Sequence, residues 1–172
     1  MNLRTELPTA ESSSNFNAVA NAATKAGTTL ENLKAAVAGE TGASAKYAAF
    51  AKAAKEQGFD QLARLWEATS AAEQIHINLE ASLVEAEDPS YTRPTAEAPA
   101  PEAIDLNLIA SANGEIFETS DMYPGFIAKA QEEGNDKAVQ MFTKAKLAEA
   151  VHAELYLQAY NNIDAADDDS YF

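Results

Sequence analysis

The stretch Glu149-Ala150-Val151-His152 decides how the rest of this 172-residue chain is read, because the same spacing occurs earlier as Glu73-Gln74-Ile75-His76. The chain has two histidines, and each stands three residues after a glutamate. Residues i and i+3 of a helix share a face, with Cβ atoms about 5–6 Å apart. Each motif therefore aims a carboxylate and an imidazole at one point. A single pair is an ordinary feature of a helix surface. Two pairs in register within an internal repeat match four of the six ligands of a dinuclear metal site in a four-helix bundle, which also takes one Glu from each of two further helices.

Composition agrees with a bundle. Ala is abundant, while Gly (7) and Pro (6) are few, so helix formers dominate the periodic segments of what is read as one all-α domain. The formal net charge of -15 repels phosphates, which argues against nucleic-acid binding and a DNA-protecting role. With no cysteine, disulfides, thiolate zinc sites, iron–sulfur centres and a four-cysteine rubredoxin-type module are excluded from these residues. Any metal must be held by oxygen and nitrogen. The start, Met1 to Pro8, has no apolar core of a leader, and no run approaches the ~18 apolar residues of a membrane span, so a soluble cytoplasmic protein is expected.

Residues 1–27 read as a flexible arm with one short helix from about Asn15, and 164–172, rich in Asp, as an acidic tail. Between them lies the bundle, 28–163. A first helix starts at the capping-box pattern Thr28-x-x-Glu31 and ends before Gly58; a second opens at Asp60 with Leu62, Leu65, Trp66, Thr69, Glu73, His76 and Leu83 facing inward. The short turn makes them antiparallel. From Glu87 to Pro101, Asp88-Pro89, Arg93-Pro94, Pro99 and Pro101 mark a long extended crossover. A third helix runs from about Pro101 to Gly134, and a fourth from Asn135 to about Ile163, with Val139, Phe142, Leu147, Glu149, His152, Leu155 and Tyr156.

The halves repeat. Gly39-Glu40 matches Gly114-Glu115 at an offset of 75, whereas Tyr47, Phe50, Gly58, Glu73 and His76 match Tyr123, Phe126, Gly134, Glu149 and His152 at 76. One residue has been added between Glu115 and Tyr123. An extra residue inside a helix is absorbed as a π-bulge, expected within Ile116 to Met122, with a kink at Pro124 as the competing explanation. The inward acids are then Glu40, Glu73, Glu115, Glu118 and Glu149, joined by His76 and His152. Burying so many like charges without a cation is prohibitively costly, and two divalent ions would neutralise most of them. Iron, manganese and zinc all accept this ligand mixture.

The pieces Leu33 to Glu40, Lys46-Tyr47-Ala48-Ala49-Phe50-Ala51, Glu73-x-x-His76, Gly114-Glu115-x-x-Glu118, Met122-Tyr123-Pro124-Gly125-Phe126 and Glu149-x-x-His152 resemble the ferritin-like domain of rubrerythrin over about Leu30 to Ile163. The resemblance implies a ferritin-like antiparallel four-helix bundle with its crossover between the second and third helices. It further implies two iron ions, oxo- or hydroxo-bridged when oxidised, with manganese or a mixed iron–manganese pair as variants. Glu73 and Glu149 would bridge them, Glu40 would hold one ion, and Glu115 with His152 the other. Glu118 and His76 would exchange on the first ion with redox state. Tyr47 and Tyr123 would hydrogen-bond site carboxylates. Trp66 and Phe142, also repeat-equivalent, are read as core rather than as an electron path.

Two departures matter. A typical rubrerythrin continues into a rubredoxin domain, for which the cysteines are missing here, and the related symerythrin group carries an extra glutamate at the position that the repeat places at Ala43. The implied function is a non-haem di-iron peroxidase that reduces hydrogen peroxide to water, taking electrons from an external donor such as a rubredoxin-type protein or a reductase. Glu118, His76, Tyr47 and Tyr123 would serve the chemistry. A di-iron or manganese catalase, an oxidase, and non-enzymatic iron sequestration are the alternatives. A homodimer, with helices exchanged across the crossover or not, is also expected.

Overall fold

A computed structural model describes residues 24–163, which are all-α, with no strand among them. The short helix expected near Asn15 and the acidic tail 164–172 lie outside the described residues, and 24–27 run without helix into the first cap. Helices α1 (Thr29–Glu56) and α2 (Asp60–Glu87) form one hairpin; α3 (Ile104–Phe117), a π-helical turn (Glu118–Met122), α4 (Tyr123–Glu132) and α5 (Asp136–Asn161) form the other.

Each hairpin is made by the same local chemistry. At the start of α1, Glu31 N donates to Thr28 Oγ1 (3.2 Å) and Thr28 N to Glu31 Oε2 (2.8 Å), closing the capping box. The turn after α1 places Gly58 at φ 86°, and that after α4 places Gly134 at φ 70°, a conformation costly for any residue with a Cβ. Phe59 N donates to Ala54 O and Asn135 N to Ala130 O, both at 2.9 Å, so the two helix ends share one Schellman-type closure 76 residues apart.

The repeat reaches further upstream than the sequence motifs. Buried Asn32 accepts from Gly27 N and donates back to Gly27 O; buried Asn107 does the same with Glu102, at the earlier offset of 75. The change of offset therefore falls between Glu115 and Tyr123, where the π-helical turn lies. Tyr123 N donates to Glu118 O, the i to i+5 bond that absorbs one extra residue. The expected π-bulge is present, and Pro124 simply occupies the first turn of α4, where its missing N–H costs little.

Residues 88–103 carry no helix and run back along α2. Lys34 pairs with Asp88 at 2.8 Å near the start, and Arg93 reaches both Glu85 and Asn78 at 2.7 Å. At the far end Ala98–Pro101 line one surface hollow with Ala49, Lys52, Ala53 and Glu56 of α1. The crossover thus traverses the bundle and lets α3 begin at the opposite end.

The core has two large apolar clusters and a small third one of Val37, Ile77 and Ala81. Of the large pair, one gathers Tyr47, Phe50, Leu62, Trp66, Leu108 and Tyr156; the other gathers Leu33, Val84, Tyr123, Phe126 and Phe142. They contain repeat-equivalent residues and bracket a polar layer. Trp66 is fully buried against Phe50 and Tyr156 and donates from Nε1 to Ser111 Oγ (2.9 Å), and Phe142 packs on Tyr123 and Phe126, as expected of core residues. The inward face of α2 is narrower than expected, with Leu65 and Leu83 half-buried. On α5, Leu147 and Leu155 are exposed at 53% and 38%, contrary to their grouping with Phe142 and Tyr156. Five residues beyond Phe142 is roughly 140° round a helix, which carries Leu147 off the core face.

Candidate metal centre

Helices α1, α2, α3 and α5 each contribute a carboxylate to the polar layer. Glu40, Glu73, Glu115 and Glu149 have no exposed surface at all. Two groups of ligand atoms result, each drawn within 4.8 Å: Glu40, Glu73, His76 and Glu149 in one, Glu73, Glu115, Glu149 and His152 in the other. Glu73 and Glu149 belong to both. Their oxygens divide between the halves: His76 Nδ1 lies 3.0 Å from Glu73 Oε2 and 2.8 Å from Glu149 Oε1, while His152 Nδ1 lies 3.3 Å from Glu73 Oε1 and 2.8 Å from Glu149 Oε2. A carboxylate that offers one oxygen to each of two sets is built to span two cations. Glu40 and Glu115 complete one set each, 3.7 and 3.6 Å from the nearer imidazole.

The fit to metal is tested by what these atoms lack. Both oxygens of Glu73 and of Glu149, Oε2 of Glu40 and of Glu115, and Nδ1 of both histidines are buried without a hydrogen-bond partner. Eight ligand atoms in one layer that lack a hydrogen bond, and meet only one another as ion pairs, are destabilising, and oxygen–nitrogen sets of this kind suit divalent transition metals.

Electrostatics in the metal-free chain run the same way. Burial alone lowers an imidazole's pKa, but Glu115, Glu149 and Glu73 around His152 push it up to about 12, and Glu149, Glu40 and Glu73 raise His76 further still. Burial would raise Glu73, yet the two histidines beside it bring it down to about 2. Burial, with neighbouring carboxylates, drives Glu40, Glu115 and Glu118 well above the usual carboxylate range. Protons and imidazolium charge thus do, imperfectly, what cations would do better.

The two tyrosines cross between halves. Tyr47 of α1 donates to Glu115 Oε1 of α3 at 2.5 Å, and Tyr123 of α4 donates to Glu40 Oε1 of α1. Each hydroxyl occupies one oxygen of a carboxylate whose other oxygen is orphaned. Such outer partners orient ligands and set their basicity.

Of the seven ligand candidates, six converge in the two sets; Glu118 belongs to neither. It is 9% exposed, opens the π-helical turn, and its Oε1 lies where a methyl on Gly39 would come to 4.0 Å. Ala43, the repeat position of Glu118, is part of the apolar core. Sequence reading missed Glu80. It has no exposed surface and accepts from Tyr123 Oη at 2.9 Å, behind Glu40. Its position seven residues after Glu73 puts it on the same helix face, a signal that was present. It was masked because the repeat partner, 76 residues on, is Tyr156.

Comparison with known proteins gives a consistent result. A rubrerythrin family profile matches residues 31–160. Nigerythrin of Nitratidesulfovibrio vulgaris is 65% identical over 171 residues, covering 99% of this chain and 85% of that protein. Rubrerythrin of the same organism is 34% identical over 141 residues, 81% of this chain and 72% of that one. The solved structure of nigerythrin in a partially reduced state superposes with a TM-score of 0.85 at 65% identity, over 98% of this chain and 83% of that chain. The fold is therefore ferritin-like. With the profile spanning the bundle and the ligand-bearing helices inside it, this chain belongs to the rubrerythrin family.

Proposed function

We propose that the protein is a non-haem di-iron peroxidase that reduces hydrogen peroxide to water with electrons from a separate donor protein. The observation that carries this reading is the pair of ligand sets sharing Glu73 and Glu149. Iron held there supplies electrons and Lewis acidity to the peroxide oxygens. The chain's own part is to hold the two sets at one spacing, to admit a small substrate and to manage protons.

Access favours a small molecule. His76, His152 and Glu118 retain 7%, 8% and 9% exposure, whereas the other four candidates retain none, so the layer as a whole is nearly closed to solvent. Tyr47 and Tyr123 keep Glu115 and Glu40 turned toward the sets. Glu118 is buried beside Glu40 and Glu115, which disfavour its ionised form after burial itself. A neighbouring cation reverses that balance, so Glu118 is suited to join or leave a ligand set as charge changes, with His76 as its alternate.

Glu118→Ala tests the reading. The variant is expected to bind metal with unchanged stoichiometry and to lose peroxide turnover by about 10–100-fold, the scale seen when groups around a metal are removed. Full turnover with the donor would refute the role given to Glu118. Elemental analysis of the protein from its native source distinguishes iron from manganese.

A further inference from the structure

Tyr123 Oη lies within hydrogen-bond distance of two carboxylate oxygens, Glu40 Oε1 and Glu80 Oε1. A phenol has one proton to donate. If both carboxyl groups were ionised, one of the two contacts would set lone pair against lone pair inside a site with no exposed surface on either acid. A second proton must therefore reside among the three groups. Glu40 belongs to a ligand set and Glu80 does not. Glu80 Oε2 is also buried without any partner, so an ionised Glu80 would be a buried charge held by a single shared contact.

We propose that Glu80 is a positioning residue that carries this proton. Its protonated carboxyl donates to Tyr123 Oη, which commits the tyrosine's own proton to Glu40 Oε1. The three groups form a directed chain, Glu80 to Tyr123 to Glu40, that ends at the metal layer. Burial raises the Glu80 pKa, to about 8, with Glu149 and Glu73 acting in the same sense and Tyr123 and His76 opposing. Those groups and Glu40, from α1, α2, α4 and α5, are the titratable neighbours that face it.

This inference rests on the peroxidase reading only for its use. Reduction of one peroxide to two waters consumes two electrons and two protons. One of the two protons can pass from Tyr123 Oη to Glu40 Oε1, and from there to a peroxide oxygen, while the Glu80 proton replaces it on Tyr123 Oη; the second proton is drawn from solvent. Glu80 is left as a carboxylate, to be reprotonated from solvent, and electrons come from the reduced site. The device is confined to one half of the bundle. At the repeat position of Glu80 stands Tyr156, which pairs with Thr69 and lies ring to ring, 5.4 Å, from Tyr47. Tyr47 thus serves Glu115 without an acid behind it.

The test compares wild type, Glu80→Gln and Tyr123→Phe. In zinc-loaded protein, which is redox-inert, infrared difference spectra between wild type and Glu80→Gln should contain the carbonyl stretch of a protonated carboxylic acid. In Tyr123→Phe that band should persist but shift as its acceptor is lost. Single-turnover oxidation of the reduced iron protein by peroxide should slow by at least about tenfold in Glu80→Gln, toward the ~10²-fold that a placed proton donor contributes. The double variant should be no slower than Tyr123→Phe, as groups in series require. Absence of the acid band from the difference spectrum overturns the proton's location. A band with unchanged turnover overturns the relay. A wild type that does not reduce peroxide overturns the peroxidase reading instead, and the spectrum still locates the proton.

Discussion

At the level of single residues, the site works by dividing each carboxylate's two oxygens between tasks. Glu115 gives Oε1 to Tyr47 and leaves Oε2 orphaned; Glu40 does the same with Tyr123. Removing one hydroxyl should loosen one ligand set and spare the other. Tyr47→Phe is expected to weaken metal binding in the His152 set by about 10–100-fold while the His76 set is unaffected. Stepwise metal titration of the metal-free protein would resolve this as one weakened and one unchanged phase. Uniform weakening, or none, would refute it. The convergence of Glu40, Glu73, His76, Glu115, Glu149 and His152 was legible because i,i+3 spacing and an internal repeat are both visible in one sequence. That each tyrosine bonds a site carboxylate was expected only through family resemblance, and its pairing with the opposite half was not foreseen, since no spacing reports a contact 68 or 83 residues away. Glu80 escaped notice because the repeat that revealed the other acids has a tyrosine in its place.

Among elements, the π-helical turn Glu118–Met122 is the break in an otherwise regular repeat. The first half reaches Tyr47 seven residues after Glu40 on unbroken α1, whereas Tyr123 comes eight after Glu115. Deleting Ser120 would restore the seven-residue spacing and regular i to i+4 bonding. The deletion variant is expected to melt no lower than wild type, and still to bind metal, because Tyr123 and Phe126 regain the register of Tyr47 and Phe50. Peroxide turnover should fall, because Glu118 would lose the widened backbone at which it sits, a trade of activity for regularity. Unchanged turnover would show that the extra residue serves packing alone. The offset change from 75 to 76 made this turn foreseeable. Exposure of Leu147 and Leu155 was legible as well, since each lies about 140° round the helix from Phe142, but hydrophobicity alone grouped them with the core.

For the whole molecule, the balance is between a buried acidic layer and the two large apolar clusters that hold it. In the metal-free chain, Glu40, Glu115, Glu118 and Glu80 all have folded pKa values raised above their ordinary range, Glu80 to about 8. The folded state then binds more protons than the unfolded one above about pH 4.5, so stability declines as pH rises toward 8. The histidines add to the same slope above about pH 6.5, their unperturbed value. Glu73, lowered to about 2, acts the other way and costs stability only as pH falls below its ordinary range. Thermal melts of metal-free protein should therefore show a lower Tm at pH 8 than at pH 5. Saturation with divalent metal should reverse that slope, because ligands must lose protons to bind. A metal-free Tm that rises with pH would contradict the assignment of these acids as buried and proton-bearing.

On the proposed reading, two ligand sets sharing Glu73 and Glu149 hold a redox-active pair of ions that reduces peroxide. The most direct test of that reading is anaerobic loading of the metal-free protein with ferrous iron, followed by titration with hydrogen peroxide while optical absorption and dissolved oxygen are recorded. Two ferrous ions should bind per chain, one equivalent of peroxide should oxidise them fully, and water should be the product with no oxygen released. Binding of a single ion, or release of oxygen as peroxide is consumed, would contradict it.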